Sequence, residues 1–320
     1  MKAAVYYETG APEVLRYEDV PDPVCRPGHV LVEVEAISIE GGDTLNRLGG
    51  EMTSTPHIVG YQAAGTIREV GAGVEDRVVG QRVVATMASG SHAELVVVPS
   101  LVTWVVPDGA DVVAAACVPV AFGTADDCLF EFGLLQAGET VLIQAGAGGV
   151  GVAAIQLAKR AGATVIATAS SLDRLEPLRA LGLDHPVDYS QSDWVETVRA
   201  ITGGRGVDLV VDSVGGTVLV GSIQSLRYRG RAITVGSAGR DRRPFDTSLL
   251  SGGNHSLTGV FLGAEIASPR AQEMIGRQVA DVASGALTVL VDRTFPLADA
   301  ATAHAFVESR QAVGRVVLTP

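Results

Sequence analysis

Over roughly the first 120 residues, apolar and polar positions alternate in short runs. Ala3-Ala4-Val5-Tyr6-Tyr7, Val30 to Ile37, Arg82 to Ala85 and Glu94 to Val98 each read as a strand. Pro21, Pro23, Pro27, Gly28 and the stretch Gly71-Ala72-Gly73 supply the turns between them. Many short strands at this spacing predict an antiparallel, barrel-like domain.

After Pro119 the period changes. Thr140 to Gln144, with Val141-Leu142-Ile143 at its centre, reads as a buried-type strand. Val150, Ala154, Leu157, Ala158 and Ala161 then recur at helical spacing, and Gly162 ends that helix. Thr164 to Thr168 is the next strand, and Arg174 to Leu181 a helix stopped by Gly182. Ser192 or Asp193 caps a helix that runs to Ile201, with Gly203-Gly204 behind it. Val207 to Asp212, Arg231 to Val235 and Leu257 to Phe261 are further strands. Strands alternating with helices over this length predict a doubly wound parallel sheet. The tail carries one amphipathic helix, Arg270 to Ser284, and the strand Arg315 to Leu318, expected to return to the first domain.

Composition narrows the function. Hydrophobic residues are 47% of 320 and charged residues 19%, enough for large cores. The formal charge of −12 argues against binding nucleic acid or an anionic membrane surface. The three cysteines, Cys25, Cys117 and Cys128, are odd in number and far apart, which suits a reducing cytoplasm better than a disulfide framework. The N-terminus has no signal-peptide core. The longest apolar candidate for a membrane span, Val112 to Ala125, is interrupted by Pro119 and Gly123. A soluble, cytoplasmic protein is expected.

Gly146, Gly148 and Gly151 form G-x-G-x-x-G between a predicted strand and a predicted helix. That setting demands a tight turn, close approach of backbone to a pyrophosphate, and a helix N-terminus whose free N–H groups face the phosphates. A plain strand-to-helix turn in a glycine-rich chain is the bland alternative. Which dinucleotide binds depends on the end of the second strand. An NAD site usually presents Asp or Glu there. This chain has Ala169-Ser170-Ser171-Leu172-Asp173-Arg174, where two hydroxyls and a guanidinium suit a 2′-phosphate. Asp173 is the rival contact, although it falls late enough to sit in a first helical turn.

With this loop in place, the chain resembles the zinc-independent quinone oxidoreductases (zeta-crystallin-like) of the medium-chain dehydrogenase/reductase superfamily. The likeness begins at Met1-Lys2-Ala3 and Pro27 to Val32, and continues through Asp43 to Gly49, Gly60 to Gly65, Val70-Gly71 and Gly80 to Val83. Gly123-Thr124, Ala137 to Ile143, the glycine loop, Asp212 to Gly216 and Gly314 to Leu318 complete it. The resemblance implies an α/β fold, a Rossmann domain (121–263) inserted in a GroES-like, mainly-β barrel domain (1–120 and 264–320), with the site between them. It implies NADPH-dependent reduction of a quinone or of a double bond next to a carbonyl. It also implies cofactor contacts from Thr124, Gly146, Gly148, Gly149, Val150, Gly151, Ser170, Arg174, Tyr189, Val214 and Arg315, with Gly236, Ser237, Phe261 and Gly263 flanking the nicotinamide end. The chain departs from its relatives at Glu40, where Asn is frequent, and at Asp126, where aromatics are common, so substrate choice carries over least.

Zinc-dependent cousins place a His-Glu pair where this chain has Tyr61-Gln62, and neither of these is a good zinc ligand at neutral pH. No Cys-x-x-Cys exists, and the six histidines, His29, His57, His92, His185, His255 and His304, stand singly, as turn or surface residues do. No metal is expected. Hydrogen bonds or cofactor hydroxyls must then polarise a substrate carbonyl. Tyr61 is either that donor or a packing aromatic with its hydroxyl in solvent. Glu40 is either an acid, if burial raises its pKa, or a solvated loop carboxylate.

Arg227, Arg229 and Arg231 precede a predicted strand, and Arg240, Arg242 and Arg243 follow it. They read as a solvated face of an acidic protein or, at Arg240, as a contact for an anionic substrate. Ser256 to Phe261 reads as the last strand of the parallel sheet, an apolar edge on which a homodimer can pair. The competing functions are a dinucleotide-binding redox sensor or a structural protein without turnover, an RNA-binding activity that the charge disfavours, and a zinc alcohol dehydrogenase that the missing ligands disfavour.

Overall fold

The computed structural model describes residues 1–191, 193–241 and 243–320. Ser192 and Arg242, expected as a cap and as part of the arginine cluster, lie outside the described residues. The chain forms two units, Met1–Val120 with Glu265–Pro320, and Ala121–Ala264.

The first unit opens with β1 (Lys2–Tyr6), β2 (Arg16–Asp19), β3 (His29–Ser38), α1 (Gly41–Gly49) and β4 (His57–Ile58). It continues with β5 (Gln62–Val70), β6 (Arg82–Thr86), β7 (Leu95–Pro99), β8 (Thr103–Val105) and α2 (Val112–Ala116). The period-two pattern has the expected physical outcome in β3, where Val30, Val32 and Val34 are buried and the residues between them are partly exposed. Val30, Val32, Ile37, Ile67, Val83 and Leu318 build the core of this unit. Where β3 crosses β5 the ladder shifts register, and a side chain at Gly65 would run into the Glu33 carbonyl oxygen, so glycine is required there.

α3 (Val118–Asp126) leads into the second unit and passes into a π-helical turn at Asp127–Glu131. The run from Val112 is therefore helical, an element the alternation of polarity does not announce. β9 (Thr140–Ile143), α4 (Gly149–Arg160), β10 (Thr164–Ala169), β11 (His185–Asp188), α5 (Trp194–Ile201) and β12 (Val207–Asp212) follow. Then come α6 (Gly216–Gln224), β13 (Leu226–Thr234), α7 (Ser248–Ser251), β14 (Ser256–Gly259) and α8 (Leu262–Glu265). Every residue of β9 and β12 is buried, as in a parallel sheet covered on both faces.

The chain returns to the first unit with α9 (Pro269–Ala283), β15 (Val291–Pro296), α10 (Ala300–Glu308) and β16 (Arg315–Thr319). α9 starts at Ser268, whose Oγ accepts the Ala271 N–H at 3.2 Å, and packs on β8, where Trp104 Nε1 donates to the Gln272 carbonyl at 3.0 Å. β16 pairs antiparallel with β3, which makes the first unit discontinuous in sequence.

Among the described residues the strands form three sheets, in the orders β2-β1-β4, β15-β16-β3-β5-β6-β8 with β7 also on β3, and β11-β10-β9-β12-β13-β14. The last is parallel throughout, with β14 at its edge. No described helix is long and apolar enough to cross a membrane.

Three expectations change. The predicted helix from Arg174 is two 3-10 turns, Leu172–Arg174 and Glu176–Leu181, because Pro177 has no N–H to extend an α-helical ladder. Arg227, Arg229 and Arg231 lie inside β13 rather than before it. His57, His92 and His304 are buried rather than superficial.

Candidate active site

The glycine loop joins β9 to α4, with Gly148 as N-cap. Its glycines are there for space. A Cβ on Gly146 would lie 2.7 Å from Ala167 Cβ on β10, and one on Gly151 would lie 2.4 Å from the Ala145 carbonyl oxygen. The Gly146 N–H donates to Thr168 O at 2.8 Å, which ties the loop to β10. The first helical bond runs from Val152 N–H to Gly148 O at 2.8 Å. The N–H groups of Gly149, Val150 and Gly151 therefore precede the helical ladder and supply an anion-binding terminus.

β10 ends at Ala169, and Arg174 Nη1 donates to Ser170 Oγ at 3.1 Å. The 3-10 turn carries Arg174 back towards the strand end, so the hydroxyl and guanidinium form one donor set. Tyr189 follows β11, and its N–H donates to Ala169 O at 2.9 Å, which places it beside Ser170. Val214 follows β12, Gly236 and Ser237 follow β13, and Phe261 and Gly263 follow β14. The expected cofactor residues of the parallel sheet thus gather at the carboxyl ends of its strands, where such sheets bind ligands. Phe261 is 76% exposed, and a Cβ on Gly263 would lie 2.5 Å from its ring, so Gly263 makes room for it. Thr124 is buried in α3.

A buried polar chain holds these strand ends in register, and sequence reading missed it. Thr168 Oγ1 donates to Gln144 Oε1 at 2.5 Å, and Gln144 Nε2 donates to Ser222 Oγ at 3.0 Å. Ser222 Oγ donates to Asp212 Oδ2 at 2.8 Å, and Asp212 Oδ1 accepts the N–H groups of Val214 and Gly215, each at 2.8 Å. A Gln and an Asp ending apolar strands were the available signals; Ser222, inside a helix, gave none.

The first unit carries a second cluster. Glu40 is the N-cap of α1, and its N–H donates to Asp43 Oδ2 at 2.8 Å. Glu40 Oε1 accepts from Gln62 Nε2 at 2.6 Å and from Arg315 Nη2, and Gln62 Oε1 in turn accepts the Val120 N–H at 3.0 Å. Arg315 also donates to Ser38 Oγ and to the Ile39 carbonyl, each near 3.0 Å. Glu40 is 4% exposed, which overturns the solvated-carboxylate expectation. Burial pushes the Glu40 carboxyl up, and Arg315 opposes that shift. Arg315, expected to contact the cofactor, has its guanidinium paired with Glu40. Tyr61 is partly buried with its hydroxyl against Gly42. Burial, then the carboxyls of Asp43 and Glu40, push its pKa well up, so the phenol stays protonated.

Of the arginine cluster, Arg231 Nη2 pairs with Glu139 at 2.5 Å, Arg227 with Asp208, and Arg243 with Asp241 at 2.6 Å. Among the described residues, no group of three or more His, Cys, Asp and Glu is placed to hold a metal ion.

Comparison with known proteins agrees with this geometry. The family model described as alcohol dehydrogenase GroES-like domain matches residues 26–108, and that described as zinc-binding dehydrogenase matches residues 149–280. A 2-haloacrylate reductase from Burkholderia sp is 34% identical over 331 residues, which cover 99% of this chain and 98% of that one. The chain belongs to the zinc-independent quinone oxidoreductase branch of the medium-chain dehydrogenase/reductase superfamily. Quinone oxidoreductase of Escherichia coli, solved with NADPH, superposes on this branch member with a TM-score of 0.95 over 100% of both chains at 29% identity. A mycobacterial protein solved with NADPH does so with a TM-score of 0.94 over 100% of both chains at 36% identity. This medium-chain reductase thus has the α/β fold of the branch, a Rossmann sheet and a GroES-like unit, and its relatives include reductases and quinone oxidoreductases.

Proposed function

We propose that the chain is an NADPH-dependent reductase that transfers hydride to a quinone or an α,β-unsaturated carbonyl without a metal. The observation that carries this reading is the Ser170–Arg174 donor pair at the end of β10, beside a helix terminus with free N–H groups. When bound, NADPH supplies the hydride from its nicotinamide ring. Gly149, Val150 and Gly151 hold the pyrophosphate through backbone N–H groups, and Ser170 and Arg174 hold the 2′-phosphate. Gly148 and Gly146 keep the loop tight, Tyr189 and Val214 line the strand ends, Gly236, Ser237, Phe261 and Gly263 would flank the nicotinamide, and Thr124 would contact the cofactor.

Hydride addition to an enone places negative charge on the carbonyl oxygen, which a fixed donor stabilises. Tyr61 is the donor we assign, because its phenol stays protonated. Glu40 is a positioning residue, since Oε1 is engaged by both Gln62 and Arg315. A carboxylate-bearing acceptor is the finer reading. It is supported by Arg240, which lies beyond the carboxyl end of β13. A homodimer through β14 and a cytoplasmic site of action complete the proposal. The test is NADPH oxidation across quinones, enones, enals, acyl thioesters and acrylates. Turnover of an enone or quinone supports the reading, while NADPH binding with no turnover replaces it with a redox sensor.

A further inference from the structure

Beneath the Glu40 cluster lies a set of polar atoms that the reductase reading does not use. α1 presents Asp43 and Arg47 four residues apart, on one face. α10 presents His304 and Glu308 at the same spacing, and Arg47 Nη2 meets Glu308 Oε1 at 2.6 Å, which clamps the two helices together. β1 and β4 add Tyr6 and His57, paired across the ladder with ring centroids 5.2 Å apart. Arg47 is near enough to act electrostatically on both Tyr6 and His304, and Asp43 on Tyr6.

These side chains are buried, with Arg47, Tyr6, Asp43 and His304 at 0% exposure. Yet Tyr6 Oη, Asp43 Oδ1, Arg47 Nε and Nη1, His57 Nδ1 and His304 Nδ1 have no partner in the protein. The other His304 nitrogen is engaged, since Nε2 lies 3.0 Å from Nε2 of His92, whose Nδ1 meets Ser91 Oγ at 3.2 Å. One orphaned buried polar atom is a tolerable cost to a folded protein, but six in one place are not.

We propose that Tyr6, Asp43, Arg47, His57 and His304 enclose a sealed internal hydration site whose ordered waters bridge α1, α10 and the β1–β4 pair. Water fits the donor set. Arg47 and the phenol offer N–H or O–H groups to water oxygen, each imidazole Nδ1 donates or accepts according to its tautomer, and Asp43 Oδ1 and the phenol oxygen accept from water hydrogens. A metal does not fit, because no ligand group for one is assembled there among the described residues. An anion fits less well, because the Arg47 charge is already matched by Glu308 and a bare buried anion would lack a counter-charge. The waters also complete the hydrogen bonding of Asp43, whose other oxygen fixes Glu40 at the head of α1. The site therefore forms the floor of the Glu40–Arg315 cluster, and its existence does not depend on the reaction assigned above.

The sign of one stability change decides the matter. In a dry core, Tyr6→Phe removes an unsatisfied hydroxyl and raises the melting temperature. In a hydrated one it deletes a bond to water, and the melting temperature falls by about 2–4 °C. Oxygen-17 relaxation dispersion on the full-length protein is the companion measurement. The wild type is expected to show long-lived internal water, and Tyr6→Phe less of it. A rise in melting temperature with Tyr6→Phe, or no long-lived water lost in that variant, overturns the proposal. So does wild-type stability that climbs with chloride but not with sulfate, which would reveal an anion in place of water.

Discussion

Replacing Arg174 with alanine should remove most of the preference for NADPH over NADH. Arg174 and Ser170 form one donor set 3.1 Å apart at the end of β10, and the 2′-phosphate is the group that distinguishes the two cofactors. A hydrogen bond to a charged group contributes about 1.5–3 kcal/mol, and a factor of ten corresponds to about 1.4 kcal/mol, so the loss lies between ~10-fold and ~150-fold. The guanidinium is only partly buried, so solvent screening places the expected loss towards the ~10-fold end. NADH has no phosphate there, so its affinity should stay within about twofold. The assay is fluorescence titration of each cofactor against wild type and Arg174→Ala at low and at physiological salt. The NADPH preference of the wild type should shrink as salt rises. Equal wild-type affinity for both cofactors would refute the reasoning, as would an equal loss for both in the variant, because the strand end would then not recognise the phosphate.

Other expectations follow from the first unit and from the sheet edge. Tyr61→Phe should lower kcat by about 100-fold while leaving KM for NADPH unchanged, as loss of one oxyanion donor does, and an unchanged kcat contradicts its assignment. Glu40→Gln should destabilise the fold by about 3–5 kcal/mol in urea, because it strands the buried Arg315 charge, and a neutral effect would contradict the buried pairing of Glu40 with Arg315. Burial depresses the His304 pKa well below the ordinary value and takes His92 down to about 3. Both are neutral when folded, whereas the unfolded imidazoles protonate below about pH 6.5, so stability is complete above that pH and is lost as pH falls towards the folded values. Each should contribute about 1.4 kcal/mol per pH unit between pH 6 and 5, and a double substitution of His92 and His304 should flatten that slope in urea melts. Val260→Lys, just beyond β14, should shift the protein towards monomer in sedimentation, and a wild type that is already monomeric at micromolar concentration removes the edge-pairing idea.

Much of the parallel unit was legible because its signals are local. The glycine loop, the stop at Gly182 and the unbroken apolar strands each follow from sterics within a few residues. Most of the residues at the carboxyl ends of those strands were named from the family resemblance, and the parallel strand order brings them to one side of the sheet. Long-range pairing was not legible. Glu40 meets Arg315 and His92 meets His304 only after β16 and α10 return to the first unit, so each residue in isolation looked like a loop carboxylate or a surface imidazole. The helix α3 was hidden for another reason. Its apolar residues face several directions, which erases the periodicity by which helices are recognised.

The central claim is hydride transfer from NADPH to an activated double bond or quinone, and isotope transfer tests it most directly. The protein is incubated with NADPH deuterated at the reactive nicotinamide position and with a neutral enone that turns over in the panel. The product is then examined by mass spectrometry and NMR. One deuterium at the β-carbon, with none when EDTA-treated protein is replaced by buffer and the same amount when it is not, is the result the account predicts. Deuterium that stays on the cofactor under conditions where NADPH is bound would contradict it.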